Sequence, residues 1–258
     1  ASVNGTGNSA ANVITGNAGA NVLNGGGGAG RLAGGAGNDT YVIGNTGVVV
    51  VELAGGGIDT VRSSVGRTLG SYQENLVLTG TASVNGTGND QANVITGNAG
   101  ANALDGDRGA DRLSGAGGND SLEGEVGNDT VLGGSGNDTV LGGSGNDGLA
   151  GGTGLDAFRF NSPLNATNNV DRIADFVSAD DRFQLDDAVF AGIGPTGMLA
   201  ASALRLGPQA LDASDRIIYD SATGWLSFDA DGNGSGAALH FATLTAGTTV
   251  ALSDFVIV

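Results

Sequence analysis

Apolar residues recur every nine positions between residues 97 and 159, and glycine and polar residues fill the intervals. Each nine-residue unit begins with six glycine-rich positions and ends with three residues whose middle member is Leu, Val or Phe. Side chains of a strand alternate between two faces, so the middle residue points inward while its neighbours point outward. The pattern therefore predicts a solenoid, in which every repeat adds one rung to a stack. Its predicted core ladder is Leu104, Leu113, Leu122, Val131, Val140, Leu149 and Phe158.

An aspartate occupies position six of every unit but the first, directly before the predicted strand. Stacked rungs place these carboxylates in rows, where like charges repel unless a cation lies between them. The chain has no Cys and one His, so the available ligands are carboxylate oxygens and the backbone carbonyls of glycine turns. Such oxygens favour Ca²⁺ over Zn²⁺ or Cu²⁺, and Mg²⁺ is disfavoured by its strict octahedral geometry. The candidate calcium ligands are Asp111, Asp120, Asp129, Asp138, Asp147 and Asp156.

The full pattern GGxGxDxUx, with U a large apolar residue, is present at residues 133–141 and again at residues 142–150. It resembles the repeat of the RTX (repeats-in-toxin) calcium-binding exoproteins. The resemblance implies an all-β fold, a right-handed parallel β-roll with two repeats per coil and Ca²⁺ held between successive turns. It also implies that aspartates two repeats apart share one side of the roll. These pairs are Asp111 with Asp129, Asp120 with Asp138, Asp129 with Asp147, and Asp138 with Asp156.

Residues 1–159 are predicted to form the β-roll in three parts. Residues 16–42 are a degenerate repeat block whose position-six residues are Asn21, Gly30 and Asp39, so Asp39 is its one candidate carboxylate ligand. Residues 43–82 depart from the nine-residue period and are interpreted as longer coils of the same solenoid. Residues 83–159 are the main calcium-binding block. Much of residues 2–35 recurs from residue 83 onward, which indicates an internal duplication.

Glycine becomes scarcer and aromatic residues appear in residues 160–258, which are predicted to form a β-rich cap over the last rung. This segment resembles the C-terminal region of RTX proteins, and its closing sequence DFVIV resembles a type I secretion signal. The resemblance implies export by the type I secretion machinery to the outside or the surface of a Gram-negative cell.

A second candidate calcium loop lies in the predicted cap. Asp229, Asp231 and Asn233, followed by Gly234, match the first residues of an EF-hand loop. Position twelve of that loop is His240 instead of the usual Glu, and the flanking residues are typical of strands. The segment is therefore either a looser calcium loop or a hairpin turn rich in Asp and Gly.

The net charge of −17 excludes several classes of partner. A chain this acidic repels itself when it is free of metal, and it lacks the basic patches that bind nucleic acid or anionic membranes. All ten cationic residues are Arg, which excludes lysine-dependent chemistry. No apolar run is long enough to cross a bilayer, and the GxSxG and HExxH signatures of common hydrolases are absent.

These observations lead to one main prediction and two alternatives. The main prediction is a non-catalytic calcium-binding module that folds on extracellular Ca²⁺ after type I secretion and serves as a structural scaffold. The first alternative is a self-assembling subunit of a surface layer, adhesin or filament, attached to the cell surface. The second is the C-terminal part of a secreted protease, lipase or polysaccharide-modifying enzyme, with its catalytic domain before Ala1.

Overall fold

The computed structural model describes residues 2–258, which consist almost entirely of short strands joined by tight turns. The strands of the first half are β1 (Gly5–Thr6), β2 (Val13–Thr15), β3 (Val22–Asn24), β4 (Arg31–Ala33), β5 (Thr40–Ile43), β6 (Val49–Val51), β7 (Thr60–Ser63), β8 (Arg67–Thr68), β9 (Asn75–Leu78), β10 (Gly86–Asn89), β11 (Val94–Thr96), β12 (Ala103–Asp107) and β13 (Arg112–Gly117). Those of the second half are β14 (Ser121–Glu123), β15 (Thr130–Ser135), β16 (Thr139–Leu141), β17 (Gly148–Thr153), β18 (Ala157–Phe160), β19 (Asp171–Ile173), β20 (Arg182–Leu185), β21 (Gly197–Met198), β22 (Leu204–Leu206), β23 (Ile217–Asp220), β24 (Trp225–Phe228), β25 (Leu239–Thr243) and β26 (Phe255–Ile257).

Helical structure within residues 2–258 is limited to two 3₁₀ turns, at Ala201–Ala203 and Leu252–Asp254. No helix in this part of the chain has the length and apolar character needed to cross a membrane.

Successive strands of the roll alternate between two sides. The odd-numbered strands β1 to β19 pair in parallel in one sheet, which β25, β24, β23 and β22 extend to fourteen strands. The even-numbered strands form a three-stranded sheet, β2-β4-β6, and a nine-stranded sheet that runs from β8 to β20 and ends with β26 and β21. The predicted parallel β-roll is confirmed.

The register of the main block follows from the nine-residue period. Leu113 lies beside Val131, and Val131 lies beside Leu149, so each strand pairs with the strand two repeats later. Pairing at this spacing brings position-six residues of alternate repeats to the same edge of the roll.

Residues 43–82 continue the long sheet without a break, because β7 pairs with β5 and with β9. The opposite side is interrupted there, between β6 and β8. Beyond residue 160, β19 and β20 still pair in parallel with β17 and β18. The domain boundaries inferred from composition stay predictions.

The core is a single column of inward-facing side chains. The seven predicted ladder residues are all buried, with exposed fractions of 0–2%. At the C-terminal end the aliphatic ladder passes into an aromatic stack, in which Phe176 lies 4.3 Å from Phe183 and Phe183 lies 5.0 Å from Phe255 between ring centroids. Apolar burial of this kind is the dominant favourable contribution to folding.

Truncating one side chain of the apolar core column should lower the stability of the fold. Leu122 is fully buried, and we expect Leu122→Ala to lower the free energy of unfolding by about 2–5 kcal/mol through lost burial and the cavity left behind. The matched control is Leu155→Ala, because Leu155 is half exposed in a turn of the same roll. Urea denaturation in saturating Ca²⁺ measures both, and equal losses for the two variants would contradict the assigned core.

Candidate metal centre

Each position-six aspartate hydrogen-bonds to the coil before it. Asp129 Oδ1 accepts the backbone N–H of Asp111 at 2.7 Å, and Asp147 Oδ1 accepts that of Asp129 at 2.7 Å. The same contact recurs down both edges of the roll and defines two aspartate ladders. The first ladder is Asn93, Asp111, Asp129, Asp147 and Asp171, and the second is Asn102, Asp120, Asp138, Asp156 and Asp181.

The backbone around each ladder residue is fixed by strand pairing. The carbonyl of Asp111 accepts the N–H of Thr130, the first residue of β15, at 2.8 Å. Every aspartate thus ends a glycine turn and begins a strand at a defined height in the stack. All four sequence-predicted pairs are in contact through these hydrogen bonds, so the structure brings together Asp111 with Asp129, Asp120 with Asp138, Asp129 with Asp147, and Asp138 with Asp156.

The second oxygen of the ladder carboxylates is buried without a hydrogen-bond partner. This holds for Oδ2 of Asp111, Asp120, Asp129, Asp138, Asp147 and Asp156. A β-carbon added at Gly106 would lie 2.6 Å from Asp111 Oδ2 and 2.7 Å from the Gly124 carbonyl oxygen, so glycine at position one leaves room where two oxygens converge. A buried carboxylate oxygen with no partner is costly unless a cation neutralises it.

The electrostatics of the metal-free ladders point the same way. Burial raises the pKa of the Asp129 carboxyl to about 7, although the N–H donated by Asp111 opposes the shift, and the charges of Asp147 and Asp111 raise it further. Burial likewise raises the pKa of Asp111 to about 6. Unpaired oxygens, carbonyls beside them and repelling carboxylates are a donor set that suits Ca²⁺, which takes six to eight oxygen ligands in flexible geometry.

A family model described as the RTX calcium-binding nonapeptide repeat (4 copies) matches residues 6–41, 87–122 and 123–157. These segments are RTX calcium-binding repeats. The solved structures similar to this chain include the solution structure of the AlgE6R3 subunit from the Azotobacter vinelandii mannuronan C5-epimerase, at 23% sequence identity and a TM-score of 0.36. That match covers 65% of this chain and 78% of the other. No curated protein matches the chain.

The RTX ladders should make the metal-free protein less stable as pH rises. A carboxyl whose pKa is higher in the folded than in the unfolded chain stabilises the fold fully below pH of about 4, where both states are protonated. That stability is lost as pH rises through the folded-state pKa values of about 6 for Asp111 and about 7 for Asp129. We expect the folded fraction of metal-free protein, measured by its far-UV circular dichroism β signal, to fall between pH 4.5 and pH 8.

Saturating Ca²⁺ should reverse this trend, because the metal binds the deprotonated carboxylates. A metal-free β signal that rises with pH would contradict the raised pKa values. The reversal is measured by the same pH series with Ca²⁺ in place of chelator.

Two aspartates beyond residue 160 extend the RTX ladders and were missed in the sequence. Asp171 Oδ1 accepts the N–H of Asp147 at 3.2 Å, and Asp181 Oδ1 accepts that of Asp156 at 3.1 Å. Burial and the charge of Asp147 raise the pKa of Asp171 to about 8. The available signal was an Asp two residues before a large apolar residue, since Asp171 precedes Ile173 as Asp111 precedes Leu113.

Asp39 belongs to a further ladder in the degenerate block. Its Oδ1 accepts the N–H of Asn21 at 2.7 Å, and its own N–H donates to Asp59 Oδ1 at 2.7 Å. Asp59 in turn donates its N–H to Glu74 Oε2 at 2.8 Å. Asp59 was missed because the segment Gly55 to Asp59, which reads as positions two to six of a repeat, lies outside the regular period.

The loop at residues 229–234 has the hydrogen bonds of an Asp- and Gly-rich turn. Asp229 Oδ1 accepts the N–H of Asp231 at 3.2 Å, and Asp231 Oδ2 accepts that of Gly236 at 3.0 Å. The Asn233 amide donates to the Leu211 carbonyl at 3.0 Å. Calcium binding by Asp229, Asp231 and Asn233 stays a prediction.

Proposed function

We propose that this chain is a structural module that remains unfolded inside the cell and folds around Ca²⁺ once it has been secreted by a type I system. The chain carries RTX calcium-binding repeats in a parallel β-roll, and that much is established by the repeats and the fold. The single observation that carries the proposal is the row of buried, unpartnered Oδ2 atoms along both ladders. Ca²⁺ supplies the positive charge that these oxygens lack.

The energetics favour coupling of folding to calcium. Extracellular calcium modules bind with dissociation constants near 10⁻⁴–10⁻³ M. At ten to a hundred times that concentration, each site adds roughly 1.4–2.7 kcal/mol to the stability of the folded state. Four such sites would add roughly 6–11 kcal/mol, which is comparable with the whole net stability of a typical domain at about 5–15 kcal/mol. Free Ca²⁺ inside a cell is far below these dissociation constants.

The test is a Ca²⁺ titration of metal-free protein followed by far-UV circular dichroism and light scattering together. We expect a cooperative gain of β signal in the range of about 10⁻⁴–10⁻³ M Ca²⁺, with no rise in scattering. Mg²⁺ at the same concentrations is the control and should produce a much smaller gain. A full β signal in excess chelator would contradict the proposal.

The scattering record separates the scaffold from its main alternative. Growth of scattering together with the β signal would favour the self-assembling surface subunit over a monomeric scaffold. Secretion, the cell-surface location and a catalytic domain elsewhere in a longer protein stay predictions. Export is tested by following the chain in the medium of cells with and without a type I secretion system.

A further inference from the structure

Three buried carboxyl groups meet beside the turn that joins β6 to β7. Asp39 and Asp59 are each 1% exposed and Glu52 is 7% exposed. One oxygen of each carboxyl lies within 4.8 Å of the corresponding oxygens of the other two. Asp39 and Asp59 come from adjacent coils. Glu52 lies at the start of the turn that ends at Asp59.

One oxygen of each carboxyl has no hydrogen-bond partner. These atoms are Asp39 Oδ2, Glu52 Oε2 and Asp59 Oδ2, and all three are buried. The other oxygens are occupied, because Asp39 Oδ1 and Asp59 Oδ1 accept backbone N–H groups and Glu52 Oε1 accepts the hydroxyl of Tyr41. Nothing in the described chain neutralises the cluster, since the two ion pairs in residues 2–258 are Arg108–Asp90 and Arg159–Asp186.

Glu52 stands where an RTX repeat has the glycine of position one. Val51 lies beside Ala33 in the β4–β6 pair, so Glu52 follows β6 as Gly34 follows β4. A β-carbon at Gly34 would collide with Asp39 Oδ2 and the Tyr41 hydroxyl, so a side chain is not accommodated in that turn. The turn from Glu52 to Asp59 is two residues longer than the turn from Gly34 to Asp39, which gives the glutamate its space.

Tyr41 holds the glutamate in this position. Its hydroxyl accepts the N–H of Gly34 at 2.7 Å and donates to Glu52 Oε1. The tyrosine ring itself is fully buried in the core column, so the hydroxyl is a fixed donor. Glu52 Oε2 is left free, and a β-carbon at Gly56 would lie 2.9 Å from it, which shows the close approach of the turn backbone.

We propose that Asp39, Glu52 and Asp59 form a separate Ca²⁺ site of the roll, which binds the ion more tightly than the aspartate ladders do. Calcium affinity rises with the number of charged ligands and with the rigidity of the site, and this site has three carboxylates on a tyrosine-braced turn. Glu74, whose carboxylate accepts the N–H of Asp59, adds a further negative charge nearby. The site does not require calcium binding by the two ladders.

Terbium(III) is the probe, because it is a hard, oxygen-seeking cation and its emission is sensitised by a nearby tyrosine. Tyr41 is hydrogen-bonded to a ligand of the proposed site, whereas Tyr72 and Tyr219 lie in other parts of the roll and cap. We expect tyrosine-sensitised emission to reach half of its maximum at lower Tb³⁺ than the β signal does, because the coils that hold the three carboxyl groups fold around the tighter site first. Ca²⁺ should compete the emission away. Exciting tryptophan alone measures the separate contribution of Trp225.

Glu52→Gln is the decisive variant, because it removes one charge and keeps an oxygen that accepts the Tyr41 hydroxyl. It should raise the Tb³⁺ concentration at half-maximal emission at least about tenfold. The Ca²⁺ concentration at half-maximal β signal should not change, because calcium binding at the two aspartate ladders sets it. Asp129→Asn is the matched control. It should leave the Tb³⁺ dependence of the emission unchanged and raise the Ca²⁺ concentration needed for the β signal. Tyr41→Phe should abolish the sensitised emission and so identify the donor.

The outcomes separate this site from the proposed function. Emission that does not change in Glu52→Gln would overturn the site. A protein whose β signal ignores Ca²⁺ but whose Tyr41 emission follows Tb³⁺ would retain the site and lose the proposed function. If Glu52→Gln does not fold in saturating Ca²⁺, the wild-type protein decides the question. Tyr41-sensitised emission that rises only together with the β signal, or after it, would overturn the tighter site.

Discussion

The double variant Asp129→Asn, Asp138→Asn is expected to be at least as stable as the wild type without metal and much less stable with it. The two residues lie at the centres of the two ladders, and each is linked to a carboxylate in the coil before and in the coil after. Asparagine keeps the Oδ1 acceptor for the backbone N–H and removes a buried charge whose second oxygen has no partner. A neutral side chain therefore removes a cost of the metal-free fold.

With Ca²⁺ present the balance changes sign. Each lost site removes roughly 1.4–2.7 kcal/mol at ten to a hundred times its dissociation constant, so losing two sites removes roughly 3–5 kcal/mol. The measurements are the far-UV β signal of wild type and variant in chelator and their urea midpoints in saturating Ca²⁺. The control is Asp90→Asn with Asp180→Asn, because both of these aspartates are exposed and their substitution should change neither the β signal in chelator nor the midpoint in Ca²⁺.

A variant that is as stable as the wild type in saturating Ca²⁺ would contradict calcium binding at these two positions. In that case the aspartates would support the roll through their backbone hydrogen bonds alone.

The regular part of the roll could be predicted because its period fixes both core and site. In residues 97–159 the spacing of Leu113, Val131 and Leu149 sets the strand register, and the same spacing sets which aspartates share an edge. Every turn there has the same length, so the number of residues between two positions also gives the number of coils between them. One pattern thus predicts burial, pairing and the rows of carboxylates.

The rest of the site could not be predicted because its turns vary in length. Asp59 stacks on Asp39 across 20 residues, and Asp171 and Asp181 stack on their partners across 24 and 25 residues. A sequence does not show how much of such a segment bulges outward, so it does not show which carboxyl returns to the ladder. Glu52 was missed for a related reason, since it occupies a position that the repeat reserves for glycine.

The structure also explains which glycines of the repeat are replaceable. At position two, the left-handed backbone is adopted by Asp107, Ala116 and Glu125, with φ near +70°. At position four every residue is glycine, with φ from +110° to +157° in the six repeats from Gly109 to Gly154. Residues other than glycine do not reach those angles without strain.

Gly136→Ala should therefore be far more damaging than Gly148→Ala at position seven of the next repeat. Gly136 has φ +127°, and a β-carbon there would collide with the Gly118 carbonyl oxygen of the coil before. We expect a loss of about 3 kcal/mol or more, since backbone strain of about 1–3 kcal/mol adds to the collision. Gly148→Ala should not lower stability, because a β-carbon there would meet only the Asp129 carbonyl oxygen, at 3.8 Å, and other repeats hold Thr130 and Thr139 at the same position.

Urea midpoints in saturating Ca²⁺ compare the two variants directly. Because the collision is between backbone coils, the loss from Gly136→Ala should persist in any state that retains the stacked turns. Equal costs for the two alanines would mean that the turn relaxes away from the carbonyl of the preceding coil. The invariance of position four would then reflect the needs of cation binding and not of coil stacking.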